Sequence, residues 1–380
     1  MNMPIKNLNT ILIKPTSWGC NLRCDYCFYL EKEEYYPGTL PEHRMSEETL
    51  EELVKQAYER NDPPLFAWQG GEPTMMGLPF FRRALELQRH YAEGRPVQNT
   101  IQTNGILIDE EWANFLRINK FLVGLSLDGK KTIHDAHRQD ASGEGSWLKV
   151  QKAARLLMRK KVDVNALATV NAESVHKPEE TYRFLKALGF TFMQFIPIVE
   201  TDPEDTSKAT NWSVDPEDYG RFLCRIFDLW VKDIDMEQLK AKISIRYFDS
   251  LLHTYLGKTP SDCTMVPECG VYLVVEHNGD VFPCDFFVKP ELKLGNIHSG
   301  NLRTMLNSKK QTNFGRMKYD MVDECRTCPW LNQCHGGCLK DRYRDPRDKG
   351  RSHFCLSTKI FLEYADTKLQ ELANLYRKYY

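Results

Sequence analysis

Through the first two thirds of the chain, strand-like apolar runs alternate with amphipathic helical ones, and this alternation restricts the fold more than any other feature. Residues 10–15, 65–69, 99–103, 121–127, 162–170 and 191–198 read as strands. Between them, 46–60 opens with Ser46-Glu47-Glu48-Thr49 and 109–119 opens with Asp109, both plausible helix starts. Repeated βα units imply an α/β protein with a parallel sheet. Six units are too few to close an eight-stranded barrel, so the expectation is an open, partial (β/α)6 barrel with a wide lateral mouth. Ligands of parallel sheets gather at the carboxyl ends of the strands, and the notable motifs lie there. A polar, aperiodic stretch at 201–213 reads as a surface excursion, and residues 243–256 as an amphipathic bridge.

With 380 residues, 42% of them hydrophobic, the chain is long enough for such a barrel plus a smaller domain. Lys plus Arg number 51 against 52 for Asp plus Glu, so no overall field favours a nucleic acid or an anionic membrane. No run has the length of a signal peptide's apolar core or of a membrane span, which leads us to expect a cytoplasmic protein. In that compartment the 12 cysteines are expected to bind metal or do redox work rather than form disulfides.

All the cysteines but Cys224 fall into two regions. Cys20, Cys24 and Cys27 follow the first strand in the order Cys-x3-Cys-x2-Cys. On their own they fit a zinc knuckle, a disulfide cluster or an iron–sulfur site. A 4Fe-4S cube held by three thiolates keeps one iron open for a chelating cofactor. The second region runs Cys263, Cys269, Cys284, Cys325, Cys328, Cys334, Cys338 and Cys355, which is two sets of four. Zinc and iron–sulfur both remain possible from these spacings. Alternation across 271–276, then Asn278-Gly279, then 281–282, predicts a hairpin between Cys269 and Cys284. Cys224 lies in an apolar helical run and reads as a small core residue.

Cys27 is preceded by Tyr26, and Gly70-Gly71-Glu72-Pro73 follows the second strand, so this region resembles the radical S-adenosylmethionine superfamily. The resemblance implies a 4Fe-4S cluster on Cys20, Cys24 and Cys27, with the methionine moiety chelating the open iron. Tyr26, Gly70, Gly71, Glu72, Ser126 and Arg138 correspond to cofactor-binding positions. The second cysteine region resembles the SPASM domain of peptide- and protein-modifying radical enzymes. That resemblance implies two auxiliary 4Fe-4S clusters, one on Cys263, Cys269, Cys284 and Cys338, the other on Cys325, Cys328, Cys334 and Cys355. The expected domains are a radical SAM barrel at 1–235, a bridging helix at 236–262, the SPASM domain at 263–355 and a C-terminal helix at 356–380.

At finer grain Leu12-Ile13-Lys14-Pro15, Cys27-Phe28-Tyr29, Trp68-Gln69-Gly70-Gly71-Glu72-Pro73-Thr74, Leu125-Ser126-Leu127-Asp128-Gly129, Ser244-Ile245-Arg246-Tyr247-Phe248-Asp249 and Phe282-Pro283-Cys284-Asp285 resemble the anaerobic sulfatase-maturating enzymes. This implies oxidation of a cysteine or serine in a sulfatase chain to Cα-formylglycine. A hydrogen atom leaves the target Cβ, then a proton and a second electron follow, so a base and an electron sink are needed. By the resemblance Asp285 is the base, and Tyr29, Gln69 and Gln102 contact the peptide. An external electron donor such as flavodoxin or ferredoxin is implied, and a monomer is expected. The rival reading is a SPASM-type maturase that cross-links or epimerises a ribosomal peptide. The few residues before the first strand leave little room for the leader-binding domain such enzymes often carry, which favours the sulfatase reading.

Overall fold

The computed structural model describes residues 5–235 and 240–379. Part of the expected bridge, 236–239, lies outside the described residues, as do 1–4 and 380. The six expected strands form close to where their apolar runs end: β1 (Thr10–Lys14), β2 (Leu65–Trp68), β3 (Asn99–Thr103), β4 (Leu122–Ser126), β5 (Asp163–Val170) and β6 (Phe192–Pro197). Helices follow the strands: α1 (Glu47–Ala57), α2 (Gly77–Ala92), α3 (Glu110–Ile118), α4 (Trp147–Arg159), α5 (Pro178–Leu188) and α6 (Pro216–Lys232). Ser46 caps α1 by accepting from the Thr49 amide at 3.1 Å, and Asp109 caps α3 by accepting from Trp112 N at 2.9 Å. Each cap satisfies an amide that the helix start leaves orphaned, worth about 1 kcal/mol.

The chain forms two compact bodies that do not follow sequence order. The first takes the chain up to Leu125 together with Arg138–Val164 and Gly270–Arg316. In it β1, β2, β3 and β4 pair in parallel, with Ile11 beside Phe66, Phe66 beside Asn99 and Ile101 beside Val123. The expected hairpin is present as β7 (Leu273–Glu276) and β8 (Asp280–Phe282), with Gly279 at φ 85° in the turn. A positive φ there is the reason for glycine. β7 adds to the free side of β1 in parallel, Ile11 opposite Leu273 and Lys14 opposite Glu276, and β9 (Gly295–Asn296) completes the run beyond β8. Ile11, Ile13, Phe66, Trp68, Val123, Leu273 and Val275 are buried. Each such large side chain contributes roughly 1.5–3 kcal/mol by leaving water.

The second body takes Ser126–His137, Asn165–Cys269 and the chain from Met317. β5 and β6 pair in parallel over Asn165–Val170, and the two-residue strand Ser244–Ile245 adds beside β6. Neither run of strands closes on itself. α7 (Arg246–Tyr255) and the long α8 (Cys355–Tyr379) pack with α6 around Phe227, Trp230, Phe248 and Phe361, where Phe248 lies 5.3 Å from both Phe227 and Phe361. Gly220 allows α6 to approach α8, because a Cβ there would lie 3.0 Å from Ile360. No helix among the described residues is long and apolar enough to cross a membrane.

Candidate functional site

Immediately after β1 the chain turns back on itself, with Ser17 N on Lys14 O and Gly19 N on Thr16 O, and delivers Cys20, Cys24 and Cys27. Opposite them lies the turn after β2. Gly71 is at φ 50°, and a Cβ would stand 2.1 Å from Gly19 O, so no other residue fits. The Glu72 amide donates to that same Gly19 oxygen at 2.8 Å, tying the glycine turn to the cysteine loop. The Glu72 side chain is spent internally. Its Oε1 accepts from Thr74 N, Thr74 Oγ1 and Thr103 Oγ1, and Oε2 from Asn104 N. Glu72, one of the expected cofactor-binding residues, is buried and braces its own turn to the turn after β3.

Asn104 then reaches Cys20 Sγ at 3.6 Å and Asn21 Oδ1 at 2.7 Å. Arg138, buried, stands over the Tyr26 ring at 5.4 Å. Its strand bridge, Gln139 with Gly145, and the bond from Arg23 N to Gln139 O bring it back to the cysteine loop. Burial and the nearby Glu72 push the Cys20 thiol up to about 12, and burial also raises Cys27, against the pull of Arg138. One buried and two part-buried thiols, free of disulfides and with polar groups around them, suit a metal-bearing group that takes the thiolate form. Ser126 ends β4, is buried and begins the second body.

Asp285 stands in the first body just past β8. Its Oδ2 accepts from Gln69 Nε2 at 3.4 Å and faces Lys14 Nζ at 3.8 Å, while Oδ1 accepts from the Tyr272 hydroxyl at 3.1 Å. The same hydroxyl is 3.2 Å from Cys284 Sγ. Tyr29 is buried and gives its hydroxyl to Glu276 in a short bond, and its ring lies under the Lys14 ammonium at 4.4 Å. Of the residues expected to touch a peptide, Gln69 and Tyr29 are therefore gathered around Asp285. Gln102 is exposed on β3 and makes none of these contacts. Lys14, Tyr272 and Glu276 went unassigned in the sequence reading. The signal for the first was available: a lysine closing the apolar strand Ile11-Leu12-Ile13.

In the second body Cys325, Cys328, Cys334 and Cys355 line one open pocket, with Trp330, Arg351 and Lys359 at its wall. Four thiols converging on one space are the donor set of a cluster. Burial raises Cys334 to about 11. Cys263, Cys269 and Cys338 face the buried Lys318, whose ammonium donates to Cys263 O at 3.1 Å and Thr264 O at 2.9 Å. Cys284, the fourth member of that expected set, belongs to the first body. Cys224 is only half-buried, on α6.

The Radical SAM superfamily pattern matches residues 15–185, and an iron-sulfur cluster-binding domain, SPASM, matches 265–329. The chain is 40% identical to a serine-type anaerobic sulfatase-maturating enzyme of Bacteroides thetaiotaomicron, over 96% of this chain and 92% of the relative. It is also 40% identical to a cysteine-type anaerobic sulfatase-maturating enzyme of Clostridium perfringens, over 96% of this chain and 98% of the relative. A solved structure of native anSMEcpe with bound AdoMet and Cp18Cys peptide superposes with a TM-score of 0.85 at 40% identity, covering 97% of this chain and 99% of that one. The fold is accordingly the α/β radical SAM partial barrel with a cysteine-rich SPASM domain.

Proposed function

This chain belongs to the anaerobic sulfatase-maturating enzymes of the radical SAM superfamily, and from that premise we propose how its residues oxidise a cysteine or serine of a sulfatase segment to Cα-formylglycine. It is a radical S-adenosylmethionine oxidoreductase, and its cofactors are S-adenosylmethionine and iron–sulfur clusters. Bound in this protein, those cofactors supply a radical that takes the hydrogen atom and a sink for the second electron.

Cys20, Cys24 and Cys27 would hold the cluster that meets S-adenosylmethionine, and Tyr26, Gly70, Gly71, Glu72, Ser126 and Arg138 would hold the cofactor, Glu72 also bracing the turn. Cys263, Cys269, Cys284 and Cys338 would hold one auxiliary cluster, and Cys325, Cys328, Cys334 and Cys355 the other. Asp285 takes the proton from the target thiol or hydroxyl. The observation that carries this role is the placement of its carboxylate, held by Gln69 and Tyr272 while still 14% exposed. Gln69 and Gln102 offer amides to the peptide, and Tyr29, the third proposed contact, is buried with its hydroxyl given to Glu276. We keep the division at 1–235, 236–262, 263–355 and 356–380 as the functional one, and read the enzyme as a cytoplasmic monomer served by a flavodoxin- or ferredoxin-like donor. The reading is tested by incubating the reduced, reconstituted enzyme anaerobically with Cys-x-Pro-x-Arg and Ser-x-Pro-x-Arg peptides. Mass spectrometry should find formylglycine in at least one, and a product mass of a cross-link or an unchanged mass in both would overturn it.

A further inference from the structure

A lysine in a protein core is costly unless its charge is compensated, and long cationic side chains normally lead their heads to water. Lys14 does not. It is 1% exposed, and its ammonium lies between the Tyr29 ring, 4.4 Å away, and Asp285 Oδ2, 3.8 Å away. The charged or titratable groups that act on it are Asp285 first, then Glu276, Cys284 and Cys27. Its stem is equally confined. A Cβ at Gly70 would lie 2.2 Å from Lys14 Cδ, so the first glycine of the turn clears the path by which the side chain crosses to Asp285. Neither the strand end nor the glycine turn needs a lysine for folding, because an apolar residue of the same length would fill this space without the cost of burying a charge.

We propose that Lys14 is the positioning residue of Asp285: threaded across Gly70 and laid on Tyr29, it fixes Oδ2 against Gln69 in the orientation from which the carboxylate meets the target thiol or hydroxyl. The proposal rests on the reading of Asp285 as the base. With Tyr272 donating to Oδ1, Gln69 donating to Oδ2 and the Lys14 ammonium facing Oδ2, the carboxylate has a partner on both oxygens, which restricts its rotation. Misplacing such a group by about 1 Å costs on the order of a hundredfold.

The test uses the full-length, cluster-reconstituted enzyme and reads 5′-deoxyadenosine and formylglycine together. Lys14→Met should retain iron content and 5′-deoxyadenosine formation, keep the peptide KM within about twofold, and lower formylglycine per 5′-deoxyadenosine by roughly ten- to a hundredfold. The deciding readout is the cycle with Asp285→Asn, since residues acting through one another are not additive. Lys14→Met/Asp285→Asn should match Asp285→Asn within about threefold. A further tenfold loss in the double variant would overturn the proposal, as would a wild-type product ratio in Lys14→Met. If Lys14→Met alone does not fold, the double variant decides, because it leaves neither partner of the pair unmatched. It should fold, and failure of both to fold would make Lys14 a core residue and nothing more. Absence of formylglycine from the wild-type enzyme would instead sink the functional reading itself.

Discussion

The two thiol sites that each lie within one body are built differently. Around Cys20, Cys24 and Cys27 the neighbours are hydrogen-bonding and ligand-ready: Asn21, Asn104, Tyr26 and Arg138, with the glycine turn braced behind them by Glu72. Around Cys325, Cys328, Cys334 and Cys355 the neighbours are Trp330, Leu331, Arg351 and Lys359. A set of three thiols leaves coordination for a cofactor, and its polar surroundings are what a cofactor needs. A set of four leaves none, and what surrounds it is an aromatic wall and fixed positive charge, the features that shield a cluster and set its potential. The count of thiols and the groups around them differ in the same sense at the two places, as the proposed division of labour requires.

The largest break in that comparison comes from removing the open set. Cys20→Ala, Cys24→Ala and Cys27→Ala together should abolish 5′-deoxyadenosine formation and lower iron by roughly a third, one cluster of three. Iron assay and chromatography of the reduced enzyme check both, and residual cleavage of S-adenosylmethionine would show that the radical arises elsewhere. Next in size is Asp285→Asn, which keeps shape and hydrogen bonding but removes the basic carboxylate. Cleavage should persist while formylglycine falls about a hundred- to ten-thousandfold, more for a serine target, whose hydroxyl is the weaker acid. Wild-type turnover with intact clusters would reduce Asp285 to a partner of Tyr272.

Cys328→Ala sharpens the comparison from the other side. A closed set that only moves electrons should, when broken, depress formylglycine more than 5′-deoxyadenosine, with about a third of the iron lost. Equal depression of both would mean that the site supports the fold of the radical domain rather than electron flow. Zinc in the anaerobically purified wild-type protein would refute the cluster assignment outright.

Much of this was legible before any coordinates. The strands were legible where the apolar runs are dense, as in β1, β2 and β4, while β3, Asn-Thr-Ile-Gln-Thr, is a strand by the spacing of its buried positions 99, 101 and 103. The hairpin followed from Asn278-Gly279, and the turn after β2 from Gly70 and Gly71, which the close approach of Lys14 and Gly19 demands. The pairing of β7 with β1 was not legible. Ile11 and Leu273 are neighbours through a long-range register that neither local propensity nor alternation encodes, and it is this register that sets Lys14 opposite Glu276 and near Asp285. For the same reason the chain's two bodies cut across its sequence domains. Tyr29 shows the residue-level version: the resemblance marked it for peptide contact, but only the fold reveals that its hydroxyl goes to Glu276.

The smallest expected effect belongs to the cysteine outside both sites. Cys224 lies on α6 and is half-buried; burial, with Asp228 nearby, pushes its thiol up to about 11, so at neutral pH it is protonated and a poor ligand or nucleophile. No other cysteine shares its helix, and the neighbouring Asp228 is occupied by the Tyr364 hydroxyl. Cys224→Ala should therefore leave iron content, cofactor cleavage and formylglycine unchanged. It removes one sulfur from a partly covered position, where the loss of packing is on the order of 1 kcal/mol or less. Thermal unfolding of the reconstituted enzyme, read beside its iron content, checks this. Loss of iron in that variant would mean that the sorting of the thiols into one open and two closed sets had left out a ligand.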